Sequence, residues 1–299
     1  MIAAAAAVAV AFVLDQVVGE PPDRLHPVAW LGALVARLDR EWVAPGVAGL
    51  LVALLVPLLV AALVWDLVGL AVAVHPAAGA VLAGLVLFVT TSLRLLTDTA
   101  DAVARETETD LDAARGMLRA LAGRDADALS AAQVRSAAAE SVAENLADGL
   151  VAPLLAFAVL ASVSLPLAAG GAAWVKAVNT LDSMLGYPSK PAGRASARLD
   201  DLVMWVPARL SAALIAVAAV DPDALLNARK WAGAPPSPNS GWPMATLAGA
   251  LGVRLEKPGV YELNPIGTLP TVADVSKGVR VVRRAGVLAY LLAGVVAWS

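Results

Sequence analysis

Three carboxylates recur at every fourth residue near the middle of the chain: Glu140, Glu144 and Asp148, with Asn145 beside them. On an α-helix that spacing puts all three on one face. Like charges stacked in this way repel, and they persist where water, a cation or basic partners lie opposite. Immediately afterwards the chain turns almost purely apolar, from Gly149 to about Ala173. An acidic stripe at the edge of such a segment suggests a polar site at a membrane surface. A solvated helix face would explain the stripe if it stood alone, but two more polar clusters follow within sixty residues.

The second cluster is Lys176, Asn179, Thr180, Asp182 and Ser183. Lys176, Asn179, Thr180 and Ser183 fall at helical spacings of three and four. A lysine close to an apolar segment can pair with phosphate or stabilise an acyl phosphate. Asp182 suits Mg²⁺, which takes one or two carboxylates plus substrate phosphates. A helix end before the Gly186-Tyr187-Pro188 turn explains these residues equally well. The third cluster is Arg198, Asp200, Asp201, Met204, Trp205 and Arg209. Adjacent aspartates before a membrane run are costly unless neutralised. Arg198 and Arg209 are candidate neutralisers or phosphate clamps, with a structural Asp–Arg pair as the plainer option. Two weaker signals are His26, in His26-Pro27-Val28, and the turn Ser237-Pro238-Asn239-Ser240-Gly241, rich enough in backbone donors to form an anion-binding nest.

What is missing narrows the chemistry. The chain has no cysteine, which excludes disulfides, thiolate metal sites, iron–sulfur clusters and a cysteine nucleophile. It has no P-loop, no strand-flanked G-x-G-x-x-G, no H-E-x-x-H and no G-x-S-x-G. A nucleotide would be held by carboxylate-bound Mg²⁺ and basic side chains instead.

The elements that must carry these clusters are largely apolar. Of 299 residues, 59% are hydrophobic and 16% charged, with a mean hydropathy of +0.73. Soluble domains are about half apolar and a quarter charged. The net charge of −3 gives no electrostatic footprint for nucleic acid. The pattern predicts an all-α, polytopic integral membrane protein: one membrane-embedded domain with a soluble helical insert at 97–148 and a loop-rich polar segment at 221–284. Candidate membrane segments are 2–18, 47–74, 77–93, 149–173, 205–220 and 285–298. A span needs about 20 apolar residues, so the first is short. It lacks a basic leader and reads as retained. Pro153, Pro166 and Gly170-Gly171 mark 149–173 as a broken or re-entrant helix. Gly123 punctuates the insert, and Ser130 is placed to cap a helix over 131–147. Trp42, Trp174, Trp205 and Trp298 stand at edges of apolar runs, as an interfacial belt would place them.

Arginine and lysine counts put the first loop, the insert and the last loop in the cytosol. Residues 176–201 lie outside if both 149–173 and 205–220 cross, and on the cytosolic side if neither does. We expect 97–148, 176–201 and 221–284 all to be reachable from the cytosol.

In order, HPVAWLG at 26–32, ESVAENLADGLVAP at 140–153, KAVNTLDSMLGY at 176–187, SARLDDLVMWVPARL at 196–210 and SPNSG at 237–241 resemble the adenosylcobinamide-phosphate synthases of cobalamin biosynthesis, the CobD/CbiB family. The resemblance covers nearly the whole chain, in the family's order. It implies a multi-pass enzyme of the inner cell membrane, which joins (R)-1-amino-2-propanol O-phosphate or the free amino alcohol to the f-side-chain carboxylate of adenosylcobyric acid in an ATP-dependent amide ligation. On this reading Glu140, Glu144, Asn145, Lys176, Asn179, Asp182 and Arg209 are the catalytic candidates. His26, Arg198, Ser183, Ser237 and Asn239 bind substrate, and Glu144, Asp148, Asp182, Asp200 and Asp201 hold Mg²⁺. The stripe Glu140, Glu144 and Asp148 is expected to point at Asp182 or Asp200. The family usually has Asn where Met204 stands and often Glu where Met244 stands, so those positions are not expected to act as polar groups here. The partners implied are the two substrates and the lipid bilayer, with no nucleic acid; a second copy or another enzyme of the pathway is left open. A non-catalytic membrane subunit that binds or moves corrinoid is the competing reading.

Overall fold

The computed structural model describes residues 1–121 and 126–299; Gly123, with Arg124 and Asp125 of the insert, lies outside them. The first four helices are α1 (Ile2–Val17), α2 (Pro27–Leu38), α3 (Pro45–Val74) and α4 (Pro76–Thr90). The chain's two histidines start two of them in the same way. His26 Nδ1 accepts the Val28 amide at 3.2 Å and His75 Nδ1 accepts the Ala77 amide at 3.1 Å. Each is an N-cap followed by a proline in the first turn, where the missing N–H costs nothing.

Next come α5 (Arg94–Glu106), α6 (Leu111–Leu121) and α7 (Ala131–Leu146). Ser130 caps α7 as expected, through a reciprocal box with Gln133. A π turn, Ala147–Val151, leads into α8 (Ala152–Ala161), and α9 (Leu165–Leu185) follows. The apolar run 149–173 is therefore broken at residues 162–164. Pro153 and Pro166 sit in the first turns of α8 and α9, and Ser164 Oγ accepts the Leu167 amide at 3.2 Å.

The remainder is α10 (Arg194–Val203), α11 (Trp205–Ala219), α12 (Pro222–Ala228), α13 (Gly241–Leu251), the antiparallel hairpin β1 (Leu255–Lys257) and β2 (Tyr261–Leu263), and α14 (Val272–Trp298). The polar stretch 221–284, expected to be loop-dominated, thus holds two helices, a hairpin and the start of a third helix. The apolar stretch from Trp242 to Leu251 drives α13 into the core. Gly252, in the left-handed region at φ 70, ends that helix.

Four helical stretches are long and apolar enough to cross a membrane: Pro45–Val74, Pro76–Glu106, Ala131–Ala161 and Val272–Trp298. A fifth is available if Pro191–Val203 and Trp205–Ala219 count as one broken span. α3 is apolar on every side, and 17% of its most apolar window is buried. Leu50, Leu54, Leu58 and Leu59 stand exposed along it. In water that surface would be prohibitive; against lipid it is the expected one.

The chain divides into two compact units. The first comprises Met1–Ser92, Asp148–Met204 and Ala289–Ser299. In it α3, α4 and α8 pack on α9, and α1 packs on α4. Backbones come very close where Gly49 meets the Ala192 carbonyl and Gly193 meets the Leu185 carbonyl, and a Cβ at either glycine would collide with backbone. The second unit comprises Leu93–Ala147 and Trp205–Leu288. Its cluster of Val103, Ala114, Leu118, Val134, Ala137 and Ala138 joins α5, α6 and α7, so the helical insert is one wall of a larger body.

Candidate functional site

In the first unit the charged groups gather around α9. Lys176 lines a cleft of about 230 Å³ with Glu20, Asp23, His26, Thr91 and Ser92. Burial lowers the affinity of its amine for a proton, against the attraction of Glu20 and Asp148. His26 is itself buried. Because its Nδ1 accepts the Val28 amide, its Nε2 faces the Glu20 carboxylate, 3.8 Å away. The α2 cap and the cleft therefore share one imidazole. Sequence reasoning placed His26 and Lys176 in the site. It passed over Glu20, Asp23, Thr91 and Ser92, which are distant in the chain and form no motif with them.

Asp182 occupies the last turn of α9. Its carboxyl is pushed up to about 6, first by burial and then by the charge of Asp201. A carboxylate is disfavoured at a helix C-terminus, where the dipole is negative. Its oxygen lies over Gly186, where a Cβ would collide with it. Thr180 Oγ1 donates to the Lys176 carbonyl and Ser183 Oγ to the Asn179 carbonyl, each at 2.8 Å, so both hydroxyl protons are spent inside the helix. Asn179 is half-buried, Arg198 is exposed on α10, and Asp200 is buried. Met204, not expected to act as a polar group, is 1% exposed among Ala152, Val175 and Trp174.

In the second unit Glu140 is wholly buried. Ser136 Oγ donates to its Oε1 at 2.9 Å and Tyr261 Oη to its Oε2 at 2.6 Å. Ser136 Oγ also accepts the Glu256 amide at 2.8 Å. Glu140 is thereby part of the brace between α7 and the hairpin. Glu144 and Asn145, one turn on, are half-buried, and Asn145 Nδ2 donates to the Ser141 carbonyl. The fourfold register of the acidic stripe stops after Glu144, because Asp148 belongs to the π turn.

Arg209 and the Ser237–Gly241 turn meet. Arg209 Nη1 donates to Asn239 Oδ1 at 2.6 Å and to the Trp205 carbonyl at 3.0 Å, while Nη2 donates to the Pro238 carbonyl at 3.1 Å. Its guanidinium stacks on Trp205 and Trp242. Ser237 Oγ accepts the amides of Asn239 and Ser240 at 3.2 and 3.5 Å, the donors an anion nest would have offered. Gly241 passes so close to the Ala232 carbonyl that no side chain fits. Met244 is buried, its sulfur 4.0 Å from Tyr261 Oη.

Helices long enough to span a bilayer, with charged clusters held partly buried beside them, define an all-α, multi-pass integral membrane protein. The chain belongs to the CobD/CbiB family: the family described as CobD/Cbib protein matches residues 8–288. A probable cobalamin biosynthesis protein CobD of Methanothrix thermoacetophila is 38% identical, over 94% of this chain and 93% of its own. A cobalamin biosynthesis protein CobD of Rhodobacter capsulatus is 39% identical, over 99% and 98%. A cobalamin biosynthesis protein CbiB of Salmonella typhi is 34% identical, over 91% and 88%. No solved structure matches the chain.

Proposed function

We propose that this protein works in cobalamin biosynthesis as an ATP-dependent ligase of the inner cell membrane, joining an aminopropanol phosphate to the f-side-chain carboxylate of adenosylcobyric acid. Family membership supports the pathway. The observation that carries the reading of the site is Lys176, an amine kept in a partly buried cleft at a cost in desolvation.

A carboxylate does not react with an amine at neutral pH. Transfer of a phosphoryl group from ATP makes it an acyl phosphate. The amine nitrogen then attacks the carbonyl carbon, phosphate leaves, and a base takes the amine's proton. Lys176 supplies positive charge to a phosphate. In the first unit half-buried Asn179 and exposed Arg198 are the groups that would orient substrate; in the second, Glu144 and Asn145 are the half-buried polar candidates.

Among the described residues no three of His, Asp and Glu converge as a ready metal cage. Mg²⁺ needs none, because it binds through one or two carboxylates and the nucleotide's phosphates. Asp182 and Asp201 fit that demand: their mutual repulsion and the burial of Asp182 are what a cation would relieve. They would hold the Mg²⁺ that comes with ATP, and the ion would neutralise phosphate charge. Asp148 and Asp200, in the same unit as Asp182 and Asp201, are the further carboxylates of the proposed set.

The test is the purified protein in detergent with ATP, Mg²⁺ and both substrates. The ligase consumes ATP in proportion to amide formed. A corrinoid-binding or transport subunit binds corrinoid and leaves ATP intact, and that result overturns the proposal.

A further inference from the structure

We infer that the cleft between Glu20 and Lys176 is the subsite for the small amine substrate, and that Glu20 is its specificity residue, receiving the ammonium while Lys176 receives the phosphate. This rests on the ligase reading above.

The cleft matches the small reactant in size. At about 230 Å³ it falls below the roughly 300–1,000 Å³ of sites for drug-sized ligands. A three-carbon amino alcohol phosphate fits within it whole, whereas a corrinoid or a nucleoside triphosphate could seat only a part there. Charge narrows the choice further. Two carboxylates, Glu20 and Asp23, and one ammonium, Lys176, line the same space. A polyanion such as ATP would meet both carboxylates. The free amino alcohol, a cation, would meet Lys176. A molecule with an ammonium at one end and a phosphate at the other satisfies both kinds of wall.

Both charges stand on ordered parts of the chain. Lys176 is fixed on α9. Glu20 precedes the short turn Asp23–Leu25, beside His26, whose ring is anchored by the Val28 amide with Nε2 toward the Glu20 carboxylate at 3.8 Å. Burial makes an unpaired lysine costly, and Glu20 and Asp148 offset that cost only in part. A ligand phosphate would complete the offset.

The experiment is equilibrium binding to the full chain in detergent, with three probes: 1-amino-2-propanol O-phosphate, isopropyl phosphate and free 1-amino-2-propanol. We expect the amino phosphate to bind at least tenfold tighter than either other probe. Glu20→Gln should weaken it tenfold or more while leaving isopropyl phosphate within twofold of wild type. Lys176→Gln should abolish the preference for the phosphorylated form. If Lys176→Gln does not fold, Glu20→Gln decides alone. A Glu20→Gln protein that binds the amino phosphate within twofold of wild type overturns the inference, and a lowered melting temperature alongside assigns Glu20 to a structural pair with Lys176. The ligase reading fails separately: wild-type protein that forms no amide overturns it, whereas wild-type ligation with unaltered binding in both variants overturns the subsite alone.

Discussion

Tyr261 Oη donates to Glu140 Oε2 at 2.6 Å, and that bond ties the β2 strand to a carboxylate buried in α7. Ser136 holds the other oxygen of the same group. Removing the hydroxyl leaves a buried carboxyl oxygen with one donor fewer, a cost of about 1–3 kcal/mol. We expect Tyr261→Phe to lower the melting temperature by several degrees and to speed amide exchange in residues 255–263. An unchanged melting temperature would show that Glu140 is satisfied without the hairpin.

Arg209 uses the two arms of its guanidinium on Asn239 and on the Pro238 carbonyl. Lysine keeps the charge and loses the fork. Arg209→Lys should loosen the 237–241 turn, seen as faster proteolysis there. If substrate affinity falls as well, the guanidinium also reaches substrate; wild-type affinity and turnover together would make it a brace alone.

Burial and Asp201 raise the Asp182 carboxyl from 3.8 to about 6. Between those values the folded chain holds a proton that the unfolded chain has lost, so stability falls as pH rises through that window. Above it the ionised group is a net cost. Asp182→Asn should therefore melt higher than wild type at pH 7.5, with the gap closing below about pH 4. Mg²⁺ with a nucleotide should raise the wild-type melting temperature at pH 7.5 and leave that of Asp182→Asn unmoved. Equal responses in both proteins would place the cation elsewhere.

Glu144 is half-buried one turn beyond Glu140. Glu144→Gln preserves shape and removes charge. Turnover in the ligation assay should drop at least tenfold with the melting temperature within a degree or two of wild type. Wild-type turnover would remove Glu144 from the mechanism.

The sequence by itself determined the helical, membrane-spanning class, because long apolar runs leave backbone groups no partner in lipid except their own helix. It also determined local ends. Ser130 marks a helix start and Pro166 a break in 149–173 through contacts a few residues long, and such contacts are readable in one dimension. Spacing placed Glu140 and Glu144 on one helix, yet it could not say that Tyr261, 121 residues on, would bury the first and leave the second half-open. Nor could it join Glu20 and Asp23 to Lys176, or Arg209 to Asn239. Those pairings depend on which helix packs on which. Burial then sets the cost of each charge, and only the tertiary structure decides which charges are buried.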